Sequence, residues 1–264
     1  MKSVVAHSDG SASLWWYLYI KNVATKNRHK PAYLAVMFRD TFLTEPTFRV
    51  GGTYQDRIRR LMTSDEPLAE QLSYAGAGVD HVNSPLARGP RHARNWLNRR
   101  IHKRVEDLLD VPRDRGQLAL KRVLAPQKMA PGLYNAFQLG HEEVKDSAAY
   151  DLDARLEQSY LPHILEMLDE VRITPIFIRA KRRRDLDPSA EPPQLKHYIA
   201  KLQRYVTARG ALWIDFTRED RIQQSHFAAD DHLDPVAGRK LFTQLLAEEL
   251  VPTLAGREAV ILRR

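Results

Sequence analysis

The sequence predicts an α/β fold in which a parallel sheet is flanked by helices. Short apolar runs suited to buried strands alternate with longer segments whose apolar residues recur at helical spacing. This alternation is typical of parallel sheets, because each crossover between parallel strands needs a long connection, usually a helix. At 264 residues with 43% hydrophobic content, the chain can bury a full core. We therefore expect a three-layer domain that spans residues 1–264.

Four strands and four helices are expected along this domain. The predicted strands are residues 3–7, 32–38, 174–180 and 211–216, and the predicted helices are residues 14–27, 151–171, 194–209 and 235–250. The run at 32–38 is continuously apolar, as is typical of strands buried on both faces of a sheet. Gly210 follows the third predicted helix, where glycine commonly ends a helix because it tolerates a left-handed backbone.

Residues 41–149 do not show this alternation of strand and helix patterns, and they are predicted to form a helical and irregular insertion. The segment is rich in Pro, Gly and Arg, and it is far longer than an ordinary connection. Within it, residues 88–104 carry seven Lys or Arg side chains, Trp96 and no carboxylate. In such a run the Lys and Arg side chains can bind phosphates, and the Trp side chain can stack on a nucleic-acid base. The run is also typical of a solvated helix face, or of a patch that meets acidic lipid or polysaccharide.

Composition narrows the chemistry that the chain can perform. The absence of cysteine excludes disulfides, thiolate nucleophiles and cysteine-ligated metals. A formal net charge of +8 favours contact with anionic surfaces. No apolar run approaches the ~20 residues that span a bilayer, so we expect no transmembrane segment and a soluble chain as written. No glycine-rich phosphate loop and no standard metal-ligand spacing occur, so neither a cofactor nor a metal is expected.

The most informative motif is the run Asp-Asp-His-Leu-Asp-Pro at residues 230–235, ahead of an amphipathic helical pattern. The imidazole of His232 can take a proton from a hydroxyl, and a neighbouring carboxylate, Asp230 or Asp231, can hold its tautomer and stabilise the imidazolium. Asp234 is expected to cap the following helix, with Pro235 at its first position. His232 is therefore a candidate general base, and an ordinary surface histidine is the alternative.

Residues 230–242 resemble the last conserved block of the SGNH/GDSL hydrolases, including the branch that transfers acyl groups in cell-wall and exopolysaccharide chemistry. The resemblance implies a flavodoxin-like, three-layer parallel sheet with His232 as the general base. In the family the partner carboxylate usually stands three residues before the histidine, where this chain has Ala229. That role then falls to Asp230 or Asp231.

Two further segments fit the same resemblance. Gly10, just before the first predicted helix, matches the family glycine whose backbone N–H contributes to the oxyanion hole. Arg39 follows the strand at 32–38, where the family has an asparagine that donates to the oxyanion. Arg39 can donate instead, whereas an ionised Asp40 cannot. A salt-bridged strand end or a cap fits Arg39 and Asp40 equally well.

The Gly-Asp-Ser block that provides the family's nucleophile does not occur in the chain. If residues 3–7 match the family's second strand, the first strand, the first helix and the catalytic serine are expected upstream of Met1, and the fold is N-terminally incomplete. A degenerate homologue is the other explanation. Ser8 and Ser11 are candidate substitute nucleophiles, although serine near a helix start most often caps the backbone.

The resemblance thus implies a serine esterase or O-acyltransferase that acts on an acylated glycan or a similar small ester, inactive or weakly active as written. It also implies an extracytoplasmic location if an upstream segment exists. The alternative function belongs to a different class. It is a non-catalytic basic module that binds nucleic acid or another polyanion through residues 88–104.

Overall fold

The computed structural model describes residues 10–63, 66–74, 147–227 and 232–261. These residues fall into two compact units. The first unit contains the described residues from 10–74 and 147–219, and the second contains those from 220–261. The single domain and the insertion at 41–149 stay predictions, because most of that segment lies outside the described residues.

Three parallel strands form the sheet of the first unit, in the order β1, β2, β3. The strands are β1, Tyr33–Phe38; β2, Thr174–Arg179; and β3, Leu212–Asp215. Phe38 pairs with Arg179, and Arg179 pairs with Asp215, so these three residues end their strands at the same edge. The predicted α/β class and three of the predicted strands are confirmed. The predicted strand at 3–7 lies outside the described residues.

The strands differ in how fully they are buried. In the central strand β2, residues 175–179 are all buried, as expected when both faces of a strand are covered. In β1 the burial alternates, because Val36 and Phe38 are buried whereas Ala35 and Met37 are exposed. The prediction that the run at 32–38 is buried on both faces is therefore wrong. An apolar run does not reveal whether both of its faces are covered.

Seven α-helices lie in the described ranges. They are α1, Ser13–Tyr19; α2, Gln55–Arg59; α3, Pro67–Ala69; α4, Leu152–Glu157; α5, Leu161–Glu170; α6, Pro193–Thr207; and α7, Ala237–Ile261. The predicted helices at 14–27 and 194–209 are found in place. The predicted helix at 235–250 begins at Ala237, so Pro235 is not its first residue, and it continues to Ile261 through Pro252. Gly210 follows α6 with φ +83°, which explains why the chain turns there.

The predicted helix at 151–171 is two helices, α4 and α5. Asp151 caps α4, because its Oδ1 accepts hydrogen bonds from the backbone N–H groups of Asp153 and Ala154 at 3.1 and 3.4 Å. Pro162 lies in the first turn of α5, where its missing N–H costs no helical hydrogen bond. Proline within one continuous helix would break the backbone ladder, so the chain restarts the helix there.

Two helices continue as π-helical turns, and one buried carboxylate joins them. α1 continues as the turn Ile20–Ala24, and α3 continues as the turn Glu70–Tyr74. The side chain of Glu66, directly before α3, is fully buried and lies 2.6 Å from Lys21 Nζ. Its Oε1 also accepts a hydrogen bond from Asn22 Nδ2 at 2.7 Å. Glu66 therefore ties the π-helical turn after α1 to the start of α3.

The core of the first unit reaches into the segment predicted to be an insertion. Leu43, Val50 and Ile58 are buried in the same cluster as Phe177 of β2. Buried hydroxyls in this core are hydrogen-bonded, as burial requires. The hydroxyl of Tyr160, for example, lies 2.7 Å from Ser73 Oγ. The described residues between 41 and 74 therefore contribute to the core of the sheet unit.

Leu202→Ala tests the burial of α6. The Leu202 side chain has no exposed surface, and its truncation should lower the free energy of unfolding by about 2–5 kcal/mol. The neighbouring exposed residue provides the control, Gln203→Ala, which should change that free energy by at most about 0.5 kcal/mol. Urea denaturation monitored by circular dichroism measures both. Equal losses from the two variants would show that α6 does not pack through Leu202.

Candidate functional site

Four polar residues mark the edge where the parallel strands end. Arg39 and Asp40 follow β1, Arg179 ends β2, and Asp215 ends β3. In open α/β sheets ligands bind at the carboxyl ends of the strands. This edge is therefore the first place to look for a functional site in the sheet unit.

A buried group of ion pairs links the ends of β2 and β3. Arg179 Nη1 lies 3.2 Å from Asp215 Oδ2, and Arg179 Nη2 contacts Glu191 Oε1. The other oxygen of Glu191 contacts Arg218. The side chains of Arg179 and Glu191 are only 4% and 3% exposed. Since a buried charge is tolerated only when it is paired, these contacts hold the loops against the sheet.

A second group of ion pairs surrounds Asp40. Its Oδ2 accepts a hydrogen bond from Arg182 Nη1 at 2.5 Å, and its Oδ1 accepts one from Arg184 Nη2 at 2.8 Å. Burial by itself raises the pKa of the Asp40 carboxyl, but the charges of Arg182 and Arg184 outweigh it and hold that pKa below its ordinary value. Asp40 is thus an ionised carboxylate that joins the end of β1 to the loop after β2.

These contacts decide how two polar segments are interpreted. Asp40 forms a salt-bridged strand end, which is one of the two expectations for this position. The four consecutive basic residues 181–184 form a run of the kind that is usually a solvated loop, but Lys181 and Arg183 are buried, at 5% and 4% exposed. Lys181 Nζ donates to the Glu219 backbone carbonyl at 2.8 Å. Acceptors from distant parts of the chain meet these cations, which the local sequence could not reveal.

Gly10 occupies a position that requires glycine. Its φ of +72° lies in the left-handed region, which side chains rarely adopt. A Cβ at this position would overlap carbons Cδ1 and Cε1 of the Tyr54 ring. The close contact with Tyr54 therefore accounts for the glycine on packing grounds. Its role as an oxyanion donor stays a prediction.

Arg39 lies half-buried directly after β1, as the sequence predicted. Its backbone carbonyl accepts a hydrogen bond from Phe42 N–H at 3.1 Å, which starts the turn that leaves the strand. Arg39 and Gly10 both belong to the first unit, but a role for Arg39 at an oxyanion remains a prediction.

The expected capping role of Ser11 is wrong. Helix α1 begins at Ser13, and its cap residue is Ala12, which has an extended backbone and no capping side chain. Ser13 Oγ donates instead to the Glu45 carbonyl at 2.6 Å. Helix α1 thus begins two residues after Ser11, which has no hydrogen-bond partner among the described residues. Ser8 lies outside them.

The turn that carries His232 is held on both sides in the second unit. Phe227 and Leu233 form an antiparallel bridge, and the Asp234 backbone N–H donates to the His226 carbonyl at 2.8 Å. Gly238 lies so close to that carbonyl that no Cβ would fit. His232 itself is exposed. Leu233 and Asp234 are therefore held against Phe227 and His226, and the adjacent His232 side chain is exposed.

Asp234 caps helix α7, as predicted. Its Oδ1 accepts hydrogen bonds from the backbone N–H groups of Val236 and Ala237, both at 2.9 Å. These bonds, with that from Ala237 the strongest influence, hold the pKa of the Asp234 carboxyl below its ordinary value. Because this oxygen serves the helix, the role of histidine partner stays with Asp230 or Asp231, which lie outside the described residues.

A cluster that sequence reasoning missed lies in the loop after β1. The Arg49 guanidinium carbon is 4.8 Å from the ring centre of Phe48, 5.6 Å from that of Tyr54 and 5.9 Å from that of Phe42. We call these four residues the Arg49 cluster. Phe42 and Phe48 also stack, with ring centres 4.3 Å apart. Their spacing matches neither a helix nor a strand, so periodicity gave no signal for them.

Some expected features lie outside the described residues, and others can be assessed within those residues alone. The basic run at 88–104 is not described. Within the described ranges, no three His, Asp or Glu side chains are grouped so as to hold a metal ion. No helix in those ranges combines the length and apolar composition that a membrane crossing requires. Gly10 and Arg39 belong to the first unit, and His232 belongs to the second.

Comparisons with known proteins give no relative from which a role can be transferred. No protein-family model matches the sequence, and neither the curated proteins nor the solved structures contain a match.

Asp40→Asn tests the ion pairs at the end of β1. The variant should lower the free energy of unfolding by about 2–3 kcal/mol at pH 7, because two half-buried guanidinium groups lose their carboxylate. Asparagine tolerates the positive φ of 45° at this position, so the backbone is not the cause. The control Asp56→Asn removes a carboxylate that is 79% exposed and 3.5 Å from Arg59. It should cost less than about 0.5 kcal/mol.

The pH dependence of the same variant gives a second readout. The folded pKa of Asp40 is lowered, so its contribution is fully present above the unfolded value of about 3.9 and is lost as pH falls through the folded pKa. The stability difference between wild type and Asp40→Asn should be constant from pH 7 to about 4 and should narrow below that. A difference that persists undiminished in acid would contradict the assignment.

Proposed function

We propose that this chain forms part of an SGNH-type serine esterase or O-acyltransferase that acts on acyl groups of a glycan or a similar small ester. The observation that carries the proposal is the turn before α7. There, Asp234 caps the helix and the His232 imidazole is exposed, within the block at 230–242 that resembles the family. An exposed imidazole next to residues that are held by backbone hydrogen bonds suits a general base that must meet a substrate.

The proposed chemistry is acyl transfer through a covalent intermediate. A serine hydroxyl attacks the ester carbonyl carbon while His232 accepts its proton, which forms a tetrahedral oxyanion. The C–O bond to the alcohol then breaks, and the imidazolium returns the proton to the departing alkoxide. Water or an acceptor hydroxyl attacks the acyl-serine in the same way, which distinguishes an esterase from a transferase.

Two residues of the sheet unit are assigned roles in this proposal. The backbone N–H of Gly10 and the guanidinium of Arg39 are the proposed donors to the oxyanion. Arg39 directly follows β1 and so lies at the carboxyl edge expected for a ligand site. Ser11 is the proposed nucleophile within the described residues, because its hydroxyl is not engaged in capping α1.

His232→Ala tests the proposal through turnover of p-nitrophenyl acetate at pH 8. The assay uses the 264-residue chain and the same chain extended by the residues encoded directly upstream. We expect His232-dependent turnover in at least one form, lowered at least about 100-fold by His232→Ala, because a general base contributes about 10²–10⁴ to the rate. Ser11→Ala shows whether Ser11 is the nucleophile in the active form.

The control is His29→Ala. His29 is exposed in the first unit, and any free imidazole hydrolyses this ester slowly. Its removal should leave enzymatic turnover unchanged. Equal small losses from His29→Ala and His232→Ala in both forms would show that the turnover is imidazole background and would reject the proposal.

A further inference from the structure

We propose that the Arg49 cluster is an oxyanion-binding site that takes a carboxylate or phosphate group. The acyl-transfer proposal assigns no role to the four residues of the Arg49 cluster. The assignment does not depend on that proposal, because binding to Arg49 can be measured without turnover.

The environment of the Arg49 charge differs from that of several other arginines. Arg179, Arg182, Arg184 and Arg218 each contact a carboxylate. Arg49 is also partly buried, yet its described contacts are with the three aromatic rings of the cluster. No carboxylate among the described residues pairs with it. Within the described ranges, the positive charge of Arg49 is therefore held by aromatic rings and is not neutralised by an acidic side chain.

The contacts with aromatic rings differ from an ion pair in how they hold the Arg49 guanidinium. A cation over a ring is attracted by about 0.5–2 kcal/mol through the ring quadrupole. Among the described residues, the Arg49 side chain makes no hydrogen bond or ion pair, so none of them engages its five N–H donors. The fixed fork of these donors matches a carboxylate or phosphate through two parallel hydrogen bonds. The rings thus hold the Arg49 cation, and its donors suit an anion.

The backbone of Arg49 has an unfavourable conformation. Arg49 has φ +59°, a left-handed conformation that costs a residue with a Cβ about 1–2 kcal/mol. Such conformations persist where the surroundings fix them, and they are concentrated at ligand sites. In the Arg49 cluster, the neighbouring Phe48 ring stacks on Phe42 and so fixes the chain on one side of Arg49. The residue with the strained backbone is thus the same residue whose cation meets no carboxylate in the described part of the chain.

The cluster also borders the turn that contains Gly10. The Tyr54 ring centre lies 5.6 Å from the Arg49 guanidinium carbon, and the same ring packs directly on Gly10. A ligand held by Arg49 would therefore approach the loop face that contains the Gly10 turn. An acidic sugar and a phosphate ester both present an oxyanion that suits this place, and they differ in the group that bears the charge.

The experiment is isothermal titration calorimetry on the full chain at low salt. The probes are trigalacturonate, inorganic phosphate and, as the neutral control, maltotriose. We expect one of the two anions to bind with a Kd of about 1 mM or tighter and maltotriose not to bind, as charge-assisted bidentate contacts predict. Tighter binding of trigalacturonate identifies a sugar carboxylate, and tighter binding of phosphate identifies a phosphate ester.

Three variants locate the binding. Arg49→Asn keeps a residue that tolerates positive φ and removes the charge, so the affinity should fall at least about tenfold. Arg49→Lys keeps the charge but loses the planar fork, so the affinity should fall about threefold to fivefold. Arg60→Gln removes an exposed arginine directly after α2 and should leave Kd within about twofold.

Circular dichroism confirms that each variant is folded. If Arg49→Asn does not fold, Arg49→Lys decides the question. The proposal is overturned if neither anion binds the wild-type chain at an anion concentration about tenfold above the expected Kd of about 1 mM. It is also overturned if Arg60→Gln weakens binding as much as Arg49→Asn does, because the affinity would then come from net charge alone.

Discussion

The pairing of Arg179 with Asp215 and Glu191 is the constraint on which the carboxyl edge of the sheet depends. Arg179 ends the central strand, and its side chain is almost completely buried, so its charge is tolerated only with both carboxylates present. Asp215 ends β3, and Glu191 lies just before α6. One guanidinium therefore fixes a neighbouring strand and the approach to a helix. Loops on this edge are positioned by charge as much as by apolar packing.

The same principle separates two kinds of arginine in this protein. The arginines at the sheet edge, such as Arg182 beside Asp40, form ion pairs with internal carboxylates and stabilise the fold. Arg49 is held by aromatic rings, which orient a cation without neutralising it. A formal net charge of +8 therefore says little about where an anion would bind. The distribution of carboxylate partners is more informative than the sum of charges.

The parts of the structure that depend on local pattern could be predicted from the sequence. The strand Thr174–Arg179 is a short apolar run because it is buried on both faces, and Asp234 caps a helix through its immediate neighbours. The pairing of Arg182 with Asp40 joins residues 142 positions apart, and no local pattern encodes it. Ser11 does not cap α1, because the cap residue is Ala12 and the helix begins at Ser13. The candidate site depends mainly on contacts between residues that are distant in the sequence.

The π-helical turn at Ile20–Ala24 makes the first unit sensitive to the length of its chain. A π-helical turn accommodates one more residue than an α-helical turn. Removing one residue from 20–24 would restore α-helical spacing and rotate the preceding helix by about 100° relative to the residues after the turn. Lys21 and Asn22 could then no longer both face Glu66, whose buried carboxylate accepts from each. Natural variation in this segment should therefore replace residues far more readily than it inserts or deletes them.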